Sequence, residues 1–238
     1  MTQRPKQFVE KRREFIATAA SGLLLAGCAT TGAANAGRPP TAKPDSDEAE
    51  VTPGEDLMQE HGVIERVLLI YDEAARRIEH DEQLDLVTIT GAAQIVRRFV
   101  EDYHEKQEEQ FVFPRLQQAA RERELIAVLL RQHQRGRELT QEILRKTSSA
   151  AGPALAQLLR NFARMYRPHA AREDTVLFPA FREVVGDKAY RELGERFEQN
   201  EHAQFGEHGF EATVAEVARL ETALGIGDLD KLTAPAVG

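Results

Sequence analysis

Six residues of this chain could act together on a metal: His61, His104, Glu108, His133, His169 and Glu173. Four of them open two copies of one motif. His104-x3-Glu108-Glu109-x2-Val112-Phe113-Pro114 recurs as His169-x3-Glu173-Asp174-x2-Leu177-Phe178-Pro179, displaced by 65 residues throughout. One further His precedes each copy, His61 before the first and His133 before the second. A His and a Glu four apart on an α-helix share a face and lie about 6 Å apart along its axis. Such a pair can bind one cation, or bind one and bridge to a second. Imidazole nitrogen with carboxylate oxygen suits iron, and also zinc or manganese. Two such helices face to face, with one His from each of two others, offer four imidazoles and two carboxylates. That set is complete for two metal ions bridged by Glu108 and Glu173.

The residues around them must be helical for this to work, and the apolar spacing says they are. Leu57, Ile64, Leu68, Tyr71, Ala75 and Ile78 form one helical stripe, with His61 inside it. After a polar break at Glu79 to Gln83, a second helix is predicted from about Thr88 to Leu116, presenting Val96, Val100, His104, Glu108 and Phe111. A third, from about Arg121 to Lys146, presents Leu125, Leu129, His133, Gly136, Thr140 and Ile143. A fourth starts near Pro153 and presents Leu155, Leu158, Phe162, Met165, His169, Glu173, Val176 and Ala180. Four amphipathic helices with short links predict an all-α, antiparallel four-helix bundle over residues 55–186. An additional C-terminal helical extension covers 187–238, in which Gly206 and Gly209 should bend or break the helix and the last dozen residues look frayed.

Composition narrows the function further. The chain has 238 residues, 42% hydrophobic and 29% charged, with 6% aromatic residues and no Trp, which suits helices better than a β-sandwich. A net charge of −8 argues against nucleic-acid binding, because phosphate contacts need a basic surface. The single cysteine, Cys28, excludes an internal disulfide framework and any thiolate cluster, so a metal must be held by His and carboxylate. A lone His on an apolar face is more often a hydrogen-bonded core residue than a ligand. Four of them, each in the inward stripe of a different helix, are harder to read that way. Two glutamates in the same stripes would be costly to bury without a cation or partner. His80, His202 and His208 fall outside any such stripe and read as surface residues.

The N-terminus reads as an address. Residues 1–27 carry five basic side chains against two acids, then an apolar run from Phe15 to Gly27 too short for a stable membrane span. Arg12-Arg13-Glu14-Phe15-Ile16 resembles a twin-arginine export signal, and Leu25-Ala26-Gly27-Cys28 resembles a lipobox in which the Cys is lipidated. The alternative is simple secretion, with cleavage after Ala36 in Ala34-Asn35-Ala36. Either way the exported body is more acidic than the precursor. Residues 28–54 are expected to be a flexible tether. The expected location is periplasmic or cell-envelope, with membrane contact only through a lipidated Cys28.

His61, His104 followed by Glu105, Glu108, His133, and His169 with Glu173 match the ligand pattern of a known family. The chain resembles a hemerythrin-type (HHE cation-binding) domain over roughly Glu55 to Val185. The resemblance implies a non-haem centre of two iron ions, oxo- or hydroxo- and carboxylate-bridged, inside a four-helix bundle. It implies dioxygen binding, oxygen or redox sensing, iron handling or nitric oxide chemistry, with dioxygen or another small diatomic or peroxide as ligand. One position departs from the pattern. Oxygen carriers place a second His one turn after the third-helix ligand, where this chain has Arg137. One iron is then left open beside Arg137 and Gly136, or Glu65, one turn after His61, fills the gap while Arg137 points to solvent. Glu105, about 100° around the helix from His104, is a further candidate. An open iron favours an enzyme turning over peroxide or nitric oxide; a filled one favours a carrier or sensor. Iron storage fits less well, because ferritin-type sites use Glu-x2-His, and a purely structural zinc bundle is the remaining alternative.

Overall fold

Pro53 sets the start of the first helix, since its fixed φ suits the first helical position. Thr52 before it closes a capping box with Glu55: the Glu55 N–H donates to Thr52 Oγ1 (3.4 Å) and the Thr52 N–H to Glu55 Oε2 (3.0 Å). The computed structural model describes residues 51–149 and 152–235. The export signal, Cys28, the alternative cleavage site and nearly all of the tether lie outside the described residues. Helix α1 is Pro53–Glu79. Helix α2 covers 86–118 and opens on Asp85, whose carboxylate accepts from the Val87 N–H at 2.9 Å. Helix α3 is Arg123–Thr147, and helix α4 covers 153–185. Asp187–Phe205 (α5), Gly209–Leu224 (α6) and a short turn, Leu229–Leu232 (α7), come next. No strand occurs among the described residues, and none of their helices is long and apolar enough to cross a membrane.

Helix α1 packs on α2 and α4, and α3 packs on α2 and α4, so each helix of the four lies beside its neighbours in sequence. Links of a few residues between such neighbours force them to run antiparallel. The extension is broken where expected. Gly206 has φ +83°, a conformation that suits Gly and ends α5, and the chain turns into α6. Helix α6 lies back on α1 and α2, and α5 lies against α1 and the end of α4. Phe197 and Val217 are both fully buried in these contacts. The Gly54 N–H donates to the Tyr190 hydroxyl at 2.9 Å, which ties α5 to the start of α1. A Cβ at Gly54 would collide with that hydroxyl.

Helices α2 and α4 are not uniform. Each contains π-helical turns: Val96–His104 and Glu108–Val112 in α2, and Glu173–Leu177 in α4. The Phe-Pro pair that closes each motif explains two of them. Pro114 and Pro179 have no N–H, and their rings crowd the carbonyl four residues back. The helix widens instead: the Phe113 N–H bonds to the Glu108 carbonyl and the Phe178 N–H to that of Glu173, each five residues earlier. The extra residue rotates the C-terminal part of each helix by about 100°. Phe111 and Val176, expected inward from a 3.6-residue period, are therefore displaced. Val112 and Leu177 are fully buried in their place, and Val176 is 37% exposed.

Two apolar clusters fill the bundle. One gathers Leu57, Val112, Phe113, Leu129, Leu177 and Phe178; the other Val63, Tyr103, Leu139 and Tyr166. On each of the four helices the motif residues fall between the two. They form a polar layer across the bundle, sealed on both sides.

Candidate metal centre

The layer is built from two halves that repeat one design. In the first, His61 Nδ1–H donates to Asp174 Oδ1 (2.6 Å) and His104 Nδ1–H to Glu60 Oε2 (2.7 Å). In the second, His133 Nδ1–H donates to Glu109 Oε1 (3.1 Å) and His169 Nδ1–H to Gln132 Oε1 (2.9 Å). These partners accept only, so each Nδ1 keeps its proton and each Nε2 is left as an acceptor. The Nε2 atoms then meet in pairs, His61 with His104 at 3.1 Å and His133 with His169 at 3.2 Å.

Glu108 and Glu173 lie between the pairs and reach both. Glu108 Oε1 is 3.9 Å from His104 Nε2 and its Oε2 is 3.4 Å from His133 Nε2. Glu173 Oε2 is 3.5 Å from His61 Nε2 and its Oε1 is 3.1 Å from His169 Nε2. Both carboxylates are fully buried, and none of their four oxygens has a hydrogen-bond donor among the described residues. Paired acceptor nitrogens and orphaned carboxylates at this depth are costly unless positive charge stands among them. The donor set fits two cations. Glu108, His133, His169 and Glu173 offer one group of ligand atoms, and His61, His104 and Glu108 another.

The side chains by themselves show the same tension. Burial lowers the His61 pKa, but Asp174 and Glu173 outweigh it and raise it to about 9. Burial and the His61 charge push His104 well below the usual imidazole range. Burial takes His133 down to about 4 against the pull of Glu109. Burial and the charge of Glu173 push Glu108 well up. Burial acts the same way on Glu173, but His169 and His61 outweigh it and hold its carboxyl low. The buried rings and carboxylates thus pull one another in opposite directions, and positive charge from a metal ion would relieve the conflict.

A family model for the hemerythrin HHE cation binding domain matches residues 52–181. The chain belongs to this family. It is 46% identical to an uncharacterized protein of Mycobacterium bovis, over 98% of this chain and 94% of that protein. Uncharacterized proteins of two Mycobacterium tuberculosis strains match with the same identity and coverage. No solved structure gives a significant match. As a hemerythrin HHE member the chain is a cation-binding helical protein, and its buried His and Glu clusters are the groups able to hold the cation.

The six motif residues come together in this HHE bundle, and the three other histidines, His80, His202 and His208, are exposed. Two further candidates meet other partners, although Glu105, with Glu109 and His133, also forms a group of closely spaced ligand atoms. Glu65 is half-exposed and ion-paired with Arg167 at 2.9 Å, because the further 40° of turn after His61 carries it into the groove with α4. Glu105 is buried, but it accepts from the Tyr166 hydroxyl (2.9 Å) and faces Arg137 Nη2 (2.6 Å). Arg137 Nη2 is also 2.6 Å from Glu109 Oε1, so its charge is neutralised there rather than offered to a bound ligand. The space beside Gly136 is bounded by Phe162, Met165 and Glu105, at ordinary contact distance for an added Cβ. The residues that hold the four imidazoles were not singled out from the sequence. A signal existed: Glu60 and Gln132 directly precede His61 and His133, and Glu109 and Asp174 come directly after Glu108 and Glu173.

Proposed function

We propose that this hemerythrin HHE protein holds two iron ions per chain and binds dioxygen, or senses oxygen or redox state, in the cell envelope. The observation that carries the reading is the placement of Glu108 and Glu173, each with one oxygen toward each His pair. His61 and His104 would hold one ion and His133 and His169 the other, with the two carboxylates shared. Bound iron supplies reversible one-electron chemistry and a Lewis-acidic position for a small oxygen-containing ligand. The chain's own part is orientation and exclusion of water. The Nδ1 hydrogen bonds fix each ring with Nε2 inward. Phe178 stacks on His61 and Phe113 on His133, each with ring centroids 5.6 Å apart, closing the layer on one side. Tyr166 stands against His169 at 5.0 Å on the other.

A second reading, an enzyme consuming peroxide or nitric oxide, or an iron-handling protein, is favoured by one feature: residue 137 is an Arg that cannot ligate. Metal analysis after anaerobic iron reconstitution tests the common ground, and two iron ions per chain are expected. Replacing Glu108 and Glu173 together with Ala should abolish loading, while His202→Ala should leave it intact. A single zinc, or no bound metal, would overturn the proposal. Optical spectra of the reduced protein exposed to oxygen, beside a peroxide-consumption assay, then separate a carrier or sensor from an enzyme.

A further inference from the structure

The two halves of the centre match residue for residue except in what stands behind the rings. Asp174 and Glu109, each next to a bridging glutamate, hold the lone histidines, His61 and His133. Glu60 and Gln132 precede those histidines and hold the motif histidines, His104 and His169. At this second place the pairing is broken, since one half has a carboxylate and the other a neutral amide. At the first place the carboxylates differ in what else they meet. Glu109 also faces Arg137 at 2.6 Å and Lys106 at 2.9 Å, and its contact with His133 is the longer one, 3.1 Å against 2.6 Å for Asp174 with His61.

An imidazole whose N–H is held by a carboxylate is a stronger donor through its other nitrogen, and such outer partners typically change metal affinity by about 10- to 100-fold. His61 and His104 are both backed in this way. His169 is backed by an amide, and the carboxylate behind His133 is shared with two cations. Building on the two-cation reading above, we propose that the two positions are unequal. The His61–His104 position binds its cation tightly, the His133–His169 position holds an exchangeable one, and Gln132 is the residue that sets the difference. The labile position is also the one that adjoins Tyr166 and Glu105, where a ligand or a second metal would exchange.

The test is anaerobic titration of the full-length protein with Co2+ against a chelator, monitored by its visible absorption. Two steps are expected, separated by roughly 10- to 100-fold in affinity. Replacing His133 and His169 with Ala should remove the weaker step alone, and replacing His61 and His104 should remove the tighter one. Gln132→Glu, at a partly exposed position that leaves the core untouched, should tighten the second step and narrow the gap. Glu60→Gln should narrow it from the other side by loosening the first. Two steps of equal affinity, unchanged by Gln132→Glu, would overturn the inequality while leaving the two-cation reading in place. Failure of the protein to bind Co2+ at all would overturn both.

Discussion

A buried charge is decided by its nearest neighbours, and Glu101 shows this one turn before His104. It is 2% exposed, and burial raises its pKa although Thr140, Arg97 and Arg137 act to lower it. A carboxyl raised in the folded state binds its proton more tightly there than in the unfolded chain. Stability linked to it is therefore present at low pH and lost as pH rises from the ordinary carboxylate range through the folded value. Replacing Glu101 with Gln removes that dependence. The stability of Glu101→Gln relative to the native chain should rise between pH 4 and pH 8, as read from denaturant midpoints at each pH. A difference that stays flat or falls over this range would show that Arg97 and Arg137 keep Glu101 ionised at both ends. The same logic separates residues of one type elsewhere: Glu65 at the surface is an ordinary ion-pair partner, while Glu108 and Glu173 have no donor at all among the described residues.

At the scale of the helix, the π turns are what the motif contributes beyond its His and Glu. Pro114 and Pro179 interrupt the α-helical register, and each widened turn starts at the motif glutamate itself, Glu108 or Glu173. Pro114→Ala supplies an N–H that can reach the Gln110 carbonyl and return the turn to α-helical register. Helicity by circular dichroism should then hold or rise, while bound metal falls below the native content because Glu108 is rotated from its place between the His pairs. Full metal content with native affinity in this variant would mean that packing, not Pro114, maintains the wide turn.

The whole molecule adds a cover that the four helices do not supply. Helices α5 and α6 lie on α1 and α2, and their grip is apolar before it is ionic. Phe197 is fully buried, so Phe197→Ala should cost about 3–5 kcal/mol of unfolding free energy. Arg98 on α2 pairs with Glu216 on α6, both partly exposed at 41% and 27%, so Arg98→Ala should cost less than about 1 kcal/mol. Chemical denaturation of the two variants ranks the contributions, and equal losses would contradict this order. The export proposed from residues 1–28 also concerns the entire chain. A twin-arginine pathway carries folded proteins with cofactors inserted, which would suit a bundle that closes over the proposed metal site. Replacing Arg12 and Arg13 with Lys should leave precursor in the cytoplasm, and the mature chain should begin at Cys28. A soluble mature form beginning at Gly37 would show that the lipid is absent.

Periodicity and spacing were enough to read four helices and the break at Gly206, and to single out His61, His104, Glu108, His133, His169 and Glu173, which the bundle brings into one layer. Helical order is local, so residues three and four apart report one face wherever the helix lies. The shift from Phe111 to Val112 and from Val176 to Leu177 was not legible from a 3.6-residue period, although Pro114 and Pro179 carried its cause. What stands behind each imidazole was decided only by the assembled bundle. Asp174 reaches His61 from 113 residues away, and Glu60 reaches His104 from 44. No local pattern encodes such pairs, because they exist only once antiparallel helices bring one layer of each to the same height. Tertiary packing likewise sent Glu65 to Arg167 and Arg137 to Glu105 and Glu109, since a long charged side chain goes to whatever opposite charge the neighbouring helix presents.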